Sequence, residues 1–101
     1  MEVGTDIIEI ARIEKAIEDD RFIWKVYSEV ERKWLEGKAA QSYAGLYAAK
    51  EGLVKAGGGV LSDYEIGHEE SGKPYVISNK GNFKVSISHC KEYAVATVIK
   101  E

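Results

Sequence analysis

Glu51 and Lys55 stand one helical turn apart in the run Tyr47-Ala48-Ala49-Lys50-Glu51-Gly52-Leu53-Val54-Lys55-Ala56-Gly57. A carboxylate suits a hard divalent cation, and an ammonium group suits a phosphate. Far away in the chain, Asp6 offers a second carboxylate. Ser86-Ile87-Ser88-His89 offers an imidazole able to bind an anion or move a proton. Magnesium typically takes only one or two protein carboxylates and leaves its other positions to water and substrate phosphate. Asp6 with Glu51 supplies that number, and the combination points to phosphate chemistry.

Each member alone has a plainer reading. Glu51 and Lys55 by themselves are an exposed i,i+4 ion pair worth about 0.2–0.5 kcal/mol. Asp6 alone is the cap of a following helix. His89 alone is a half-buried strand histidine. Cys90 beside it invites a cysteine-hydrolase reading, but two successive extended residues point to opposite faces, and a working dyad needs hydrogen-bond reach. Cys90 therefore reads as a small buried thiol. His68 reads as an ordinary strand residue, and two histidines with one cysteine in these places make no zinc pattern.

The elements that must position these groups follow from periodicity. Residues 2–8 alternate as a strand, with Val3, Thr5 and Ile7 on one face and Gly4, Asp6 and Ile8 on the other. From about Glu9 the period becomes helical, with Ile10, Ile13 and Ile17 on one stripe. Ser28-Glu29-Val30-Glu31 reads as a capping box, and Gly37 as the stop of the helix it starts. Lys38 to Gln41 then links to the longest helix, roughly Ser42 to Ala56. Leu46, Leu53 and Val54 form its expected core stripe, while Ala44, Tyr47, Ala48, Glu51 and Lys55 take another side, the alanines leaving room for a close approach. Gly57-Gly58-Gly59 ends it. These glycines follow the helix, whereas in a phosphate-binding P-loop they precede one. The last third reads as an antiparallel meander with turns at Ser71-Gly72-Lys73-Pro74, Asn79 to Asn82 and His89 to Glu92.

Composition sets outer bounds. A chain of 101 residues is read as one domain, residues 1–101, with a core small enough that oligomerisation is a plausible source of stability. Its 14 basic and 17 acidic side chains give a net charge of −3, without the basic footprint of a nucleic-acid binder. One cysteine makes no intrachain disulfide, which fits a reducing compartment. No signal-peptide pattern opens the chain, and no apolar run nears the ~20 residues of a membrane helix. The expectation is a soluble cytoplasmic protein that binds neither nucleic acid nor membrane.

Taken together, these motifs resemble the holo-acyl-carrier-protein synthases, small phosphopantetheinyl transferases, over nearly the full chain. Gly4-Thr5-Asp6-Ile7 with Glu9 and Arg12 is similar to the family's opening motif. Ala44 to Glu51 with Lys55 and Gly57 is similar to its central one. Gly72-Lys73-Pro74, then Val85 to His89 with Tyr93-Ala94, are similar to the later ones. The resemblance implies an α+β fold with an antiparallel sheet packed against a long helix and shorter ones. It implies magnesium-dependent transfer of 4′-phosphopantetheine from coenzyme A to a serine of apo acyl carrier protein, releasing adenosine 3′,5′-bisphosphate, in fatty acid biosynthesis. It also implies a homotrimer with sites between subunits.

By motif position, Asp6 and Glu51 would bind the metal, and Lys55 would join them in catalysis. Lys55, Gly57, Lys73, Pro74, Ser88 and His89 would hold coenzyme A. Arg12 would meet the acidic carrier; neighbouring charge adds Arg21 and Lys25. The chain departs from the pattern at Leu46, where many members carry arginine, and at Cys90 and Gly52. Leu46 keeps a second class in view, a non-catalytic coenzyme A or nucleotide-binding module on the same fold.

Overall fold

The computed structural model describes residues 1–101. Strand β1 (Glu2–Glu9) runs into helix α1 (Ile10–Ala16), followed by α2 (Asp20–Val26), α3 (Glu29–Leu35) and the long α4 (Ala40–Gly57). After a short 3-10 turn at Leu61–Asp63 come β2 (Glu65–His68), β3 (Pro74–Ile77), β4 (Phe83–His89) and β5 (Tyr93–Lys100).

The strands do not form one meander. β2 and β3 pair only with each other, while β4 and β5 form a hairpin that β1 joins on the far side, all antiparallel, in the order β1-β5-β4. Asp6 opposes Ala96 and Gly4 opposes Val98, so the first strand extends the last hairpin on the open edge of β5, and the break in the meander falls between β3 and β4. The period-2 pattern of β1 holds, with Gly4 and Ile8 buried and Val3, Thr5 and Ile7 exposed. On β5, Ala94, Ala96 and Val98 share that inner face.

Helix α4 lies across the inner face of the three-stranded sheet, with α1 packed against it. It begins two residues earlier than the spacing predicts, and its buried side is a broad belt rather than a stripe. Ala44, Gly45, Ala48, Ala49, Gly52 and Ala56 are core residues beside Leu46 and Leu53, while Val54 is half-buried. Small residues let backbones approach. A Cβ on Gly4 would collide with the Gly52 carbonyl, so β1 lies directly on α4. That contact brings Asp6 to the helix.

The helices between these elements start and stop as their caps dictate. Ser28 Oγ accepts from the Glu31 amide at 3.2 Å, and the Ser28 amide donates to Glu31 Oε1 at 2.8 Å, completing the capping box of α3. Gly37 follows at φ +75°. Helix α2 has no counterpart in the periodicity reading; Asp19, whose carboxylate accepts from the Arg21 amide at 2.9 Å, was its available signal. Beyond Gly57, Gly58 and Gly59 take φ of +80° and +75°, the left-handed region where a side chain is strained.

Candidate functional site

Lys55 does not pair with Glu51 along the helix. Its Nζ donates to the Thr5 carbonyl at 2.8 Å and to Asp6 Oδ1 at 3.1 Å, crossing from α4 to β1. The Lys55 side chain is 53% exposed and that of Asp6 16%. Asp6 is not a helix cap either, since α1 starts after Glu9 without a side-chain cap. Glu51 is half-buried one turn before Lys55.

Tyr47 is half-buried one turn before Glu51 on α4. Burial raises its phenol pKa first; the charges of Glu51 and Asp6 raise it further, while Arg12 on α1 opposes them. One phenol thus senses both acids and one arginine. The Tyr47 ring also stacks on Phe22 of α2, centroids 6.0 Å apart. Sequence reasoning placed Tyr47 on this face of the helix without giving it a part.

Two carboxylates, Asp6 and Glu51, are of the oxygen-donor type magnesium takes. No three histidine, cysteine or carboxylate side chains cluster anywhere in the chain; magnesium typically takes one or two protein carboxylates. Asp6 already holds a cation, the Lys55 ammonium, at its carboxylate oxygen. Asp6 and Glu51 are the residues that would hold the metal.

His89 and Pro74 meet elsewhere. Together with Trp34, Gly45, Leu46 and His68 they line a cavity of about 260 Å³. The cavity lies between the first half of α4, the β2–β3 turn and the end of β4. Leu46 and Lys55 are separated by about 13 Å along α4 at a rise of ~1.5 Å per residue. Trp34 and His68 stack in parallel at 3.6 Å, and Lys38 lies over the Trp34 ring at 4.6 Å. His68 Nδ1 is buried without a hydrogen-bond partner. Burial lowers the His68 pKa, Lys38 lowers it further, and Glu31 opposes. His68 is therefore more than an ordinary strand residue. Its signal was weak, a histidine on the strand face opposite an exposed glutamate.

The remaining residues scatter. Ser88 falls on the outer face of the sheet, opposite His89 by alternation, and both are exposed. Lys73 is exposed in the β2–β3 turn. Gly57 closes α4 where a Cβ would meet the Tyr64 hydroxyl and the Phe83 ring. Arg12 is exposed on α1. Arg21 is held by the Asp19 carboxylate at 2.9 Å, and Lys25 edges a separate hollow of about 360 Å³ beside Trp24 and Arg32. Cys90 is exposed, not buried, because the hairpin link carries it out to solvent. Hydrogen bonds from the Glu92 and Tyr93 backbone lower its thiol pKa.

A second ion pair was missed altogether. Lys50 and Glu31 are buried, at 1% and 0% side-chain exposure, with Nζ to Oε1 at 2.7 Å. The available signal was a lysine set among alanines and glycines on a helix with almost no polar face.

With this geometry in view, comparison with known proteins is direct. A family profile described as the 4′-phosphopantetheinyl transferase superfamily matches residues 2–98. The chain is 40% identical to a holo-[acyl-carrier-protein] synthase of Fusobacterium nucleatum, covering 96% of this chain and 95% of that one. It is 40% identical to the enzyme of the same name from Ruminiclostridium cellulolyticum, over 98% of this chain and 90% of the other. A crystal structure of the holo-(acyl-carrier-protein) synthase of Bacillus anthracis in complex with CoA (3′,5′-ADP) superposes with a TM-score of 0.84 at 37% identity, covering 96% of this chain and 92% of that one. The Helicobacter pylori enzyme in complex with coenzyme A superposes at 0.89 with 29% identity, over 98% and 99%. The α+β fold is thus the one expected, and the chain belongs to the 4′-phosphopantetheinyl transferase superfamily.

Proposed function

We propose that this protein, acting as one unit over residues 1–101, is a holo-[acyl-carrier-protein] synthase. It moves 4′-phosphopantetheine from coenzyme A to a serine hydroxyl of an acidic apo acyl carrier protein and releases adenosine 3′,5′-bisphosphate, with magnesium as cofactor. What supports this reading is the Lys55–Asp6 ion pair that joins α4 to β1, with Glu51 one helical turn before Lys55. Coenzyme A in the complexes of related enzymes supports the donor.

When bound, magnesium supplies neutralisation of charge on the pyrophosphate. The chain's residues do the rest. The acceptor serine gives its proton to Glu51 or to a water at the site. The serine oxygen then forms a bond to the β-phosphorus as the bond to the departing nucleotide phosphate breaks. Lys55, more than half exposed, is free to swing from Asp6 and the Thr5 carbonyl to the departing phosphate, which it stabilises or protonates. Positioning and electrostatics supply most of the acceleration, as in phosphoryl transfer generally.

His89, Ser88, Pro74, Lys73 and Gly57 are assigned to coenzyme A. Within one chain the His89 cavity and the Asp6–Lys55 cluster stand apart along α4, and Ser88 faces away from both. An assembly with sites between subunits reconciles them. The outer sheet face supports it: Val3 and Ile7 are 62% and 63% exposed, beside Tyr93 and Ile99 at 42% and 36%. We propose a homotrimer closed through this face. Arg12, exposed on α1, is the docking contact for the carrier, and Arg21 and Lys25 on α2 are assigned to the same role from their charge. No helix is long and apolar enough to cross a membrane, and a cytoplasmic role in fatty acid biosynthesis follows from the proposed reaction.

The test is mass spectrometry of an apo acyl carrier protein incubated with the purified protein, coenzyme A and magnesium. A mass gain of one phosphopantetheine per carrier is expected. Coenzyme A binding without any transfer would reject the enzyme and leave a binding module.

A further inference from the structure

We infer that Lys50 and Glu31 form a positioning pair that fixes the rotation of α4, and with it the aim of the Glu51 carboxylate; this rests on the proposed transferase reading. They are the only buried charged side chains. Lys50 Nζ donates to Glu31 Oε1 at 2.7 Å and to the Val26 carbonyl at 2.8 Å, at the end of α2. Glu31 Oε1 also accepts from the Ser28 amide at 2.8 Å, and Oε2 accepts from the Ile66 amide at 2.7 Å. One carboxylate and one ammonium therefore tie α2, α3 and β2 to α4 at the residue immediately before Glu51.

A pair this deep is weak evidence for stability, because desolvation offsets most of the attraction, and apolar replacements of like size are often neutral. Directional bonds do something packing cannot. The rest of the α4 contact surface here is mostly alanine, glycine and leucine, which resists rotation about the helix axis poorly; one further directional tie is the Tyr27 hydroxyl donating to the Tyr43 carbonyl at 2.7 Å. Successive helical residues point about 100° apart at 3.6 residues per turn. Anchoring Lys50 on the α3–β2 side thus sets Glu51 towards β1 and Asp6. The same anchor holds the end of α2, whose Phe22 backs the Tyr47 ring.

The test uses the Lys50→Met, Glu31→Gln double variant, which removes both charges and keeps one acceptor oxygen for the two amides, of Ser28 and Ile66, that Glu31 serves. Melting, carrier modification and Mg2+ binding by calorimetry in the presence of coenzyme A are compared with the wild type. The expected result is a folded protein with kcat down about 10- to 100-fold, the scale of a small misplacement of reacting groups, and Mg2+ binding several-fold weaker. Should the double variant fail to fold, Glu31→Asp keeps the charge, shortens its reach and should show the same split at smaller size. Folded variants with unchanged kcat and unchanged Mg2+ binding overturn the inference. A wild type that binds Mg2+ but modifies no carrier rejects the transferase reading instead, and leaves the positioning to be judged on Mg2+ binding alone.

Discussion

Lys50 and Lys55 sit on the same helix, and each ends against a carboxylate. The Lys50–Glu31 pair is sealed, with 1% and 0% side-chain exposure at 2.7 Å. The Lys55–Asp6 pair is longer, 3.1 Å, and its lysine is 53% exposed. Water screens the second pair and lets it exchange partners, as the phosphate contact proposed for Lys55 requires. The first has no alternative partner except the backbone it already holds. One helix thus carries a fixed charge and a transferable one, and the difference lies in burial rather than in residue type. A lysine's stem is flexible in both settings, so only the surroundings decide which one can reach a substrate.

The largest expected effect separates the pairs by stability. Lys50→Met alone leaves Glu31 charged, buried and unpaired, and should cost ~3–5 kcal/mol in urea denaturation, as broken buried pairs do. Lys55→Ala should cost less than about 1 kcal/mol, as for exposed pairs. Equal losses would erase the contrast.

Next in size is chemistry. Glu51→Gln should leave melting unchanged and slow carrier modification by ~10²-fold or more, the scale of a lost acid–base group. Lys55→Ala should slow it too, whereas full turnover in either variant would remove that residue from the reaction.

A smaller effect sharpens the role of burial at His68. Its folded pKa lies below the ordinary ~6.5, so it resists protonation more than the unfolded chain does. The stability it contributes is complete above that ordinary value and is lost as pH falls through the folded pKa. Urea midpoints at pH 7 and pH 5 should therefore differ less in His68→Phe than in the wild type. A parallel pH response would disprove the coupling.

The smallest effect is expected at Cys90. Its exposed thiol, with a lowered pKa, should alkylate faster than a free cysteine, while Cys90→Ser leaves melting and turnover unchanged. Loss of activity on that substitution would restore a thiol mechanism.

Much of the fold was legible because it rests on short-range rules. The alternation of β1, the Ser28–Glu31 box, the Gly37 stop and the left-handed glycines after α4 each depend on a few neighbouring residues. What failed depended on distance. Asp6 reads as a cap until β1 is seen lying on α4 through Gly4 and Gly52. Cys90 reads as buried because small thiols usually are, yet a hairpin link puts it outside. The meander reading also missed β1, which comes from the other end of the chain to extend the last hairpin on the β5 edge, while β2 and β3 pair only with each other.

The sequence alone determined which carboxylates, lysines and imidazoles the chain has to offer, and which local turns would carry them. Only tertiary structure decided that Lys55 would face Asp6 instead of Glu51, and that Lys50 would be sealed against Glu31. Pairing at such separations is set by which backbones can approach and by how much water remains, and neither is written in residue spacing.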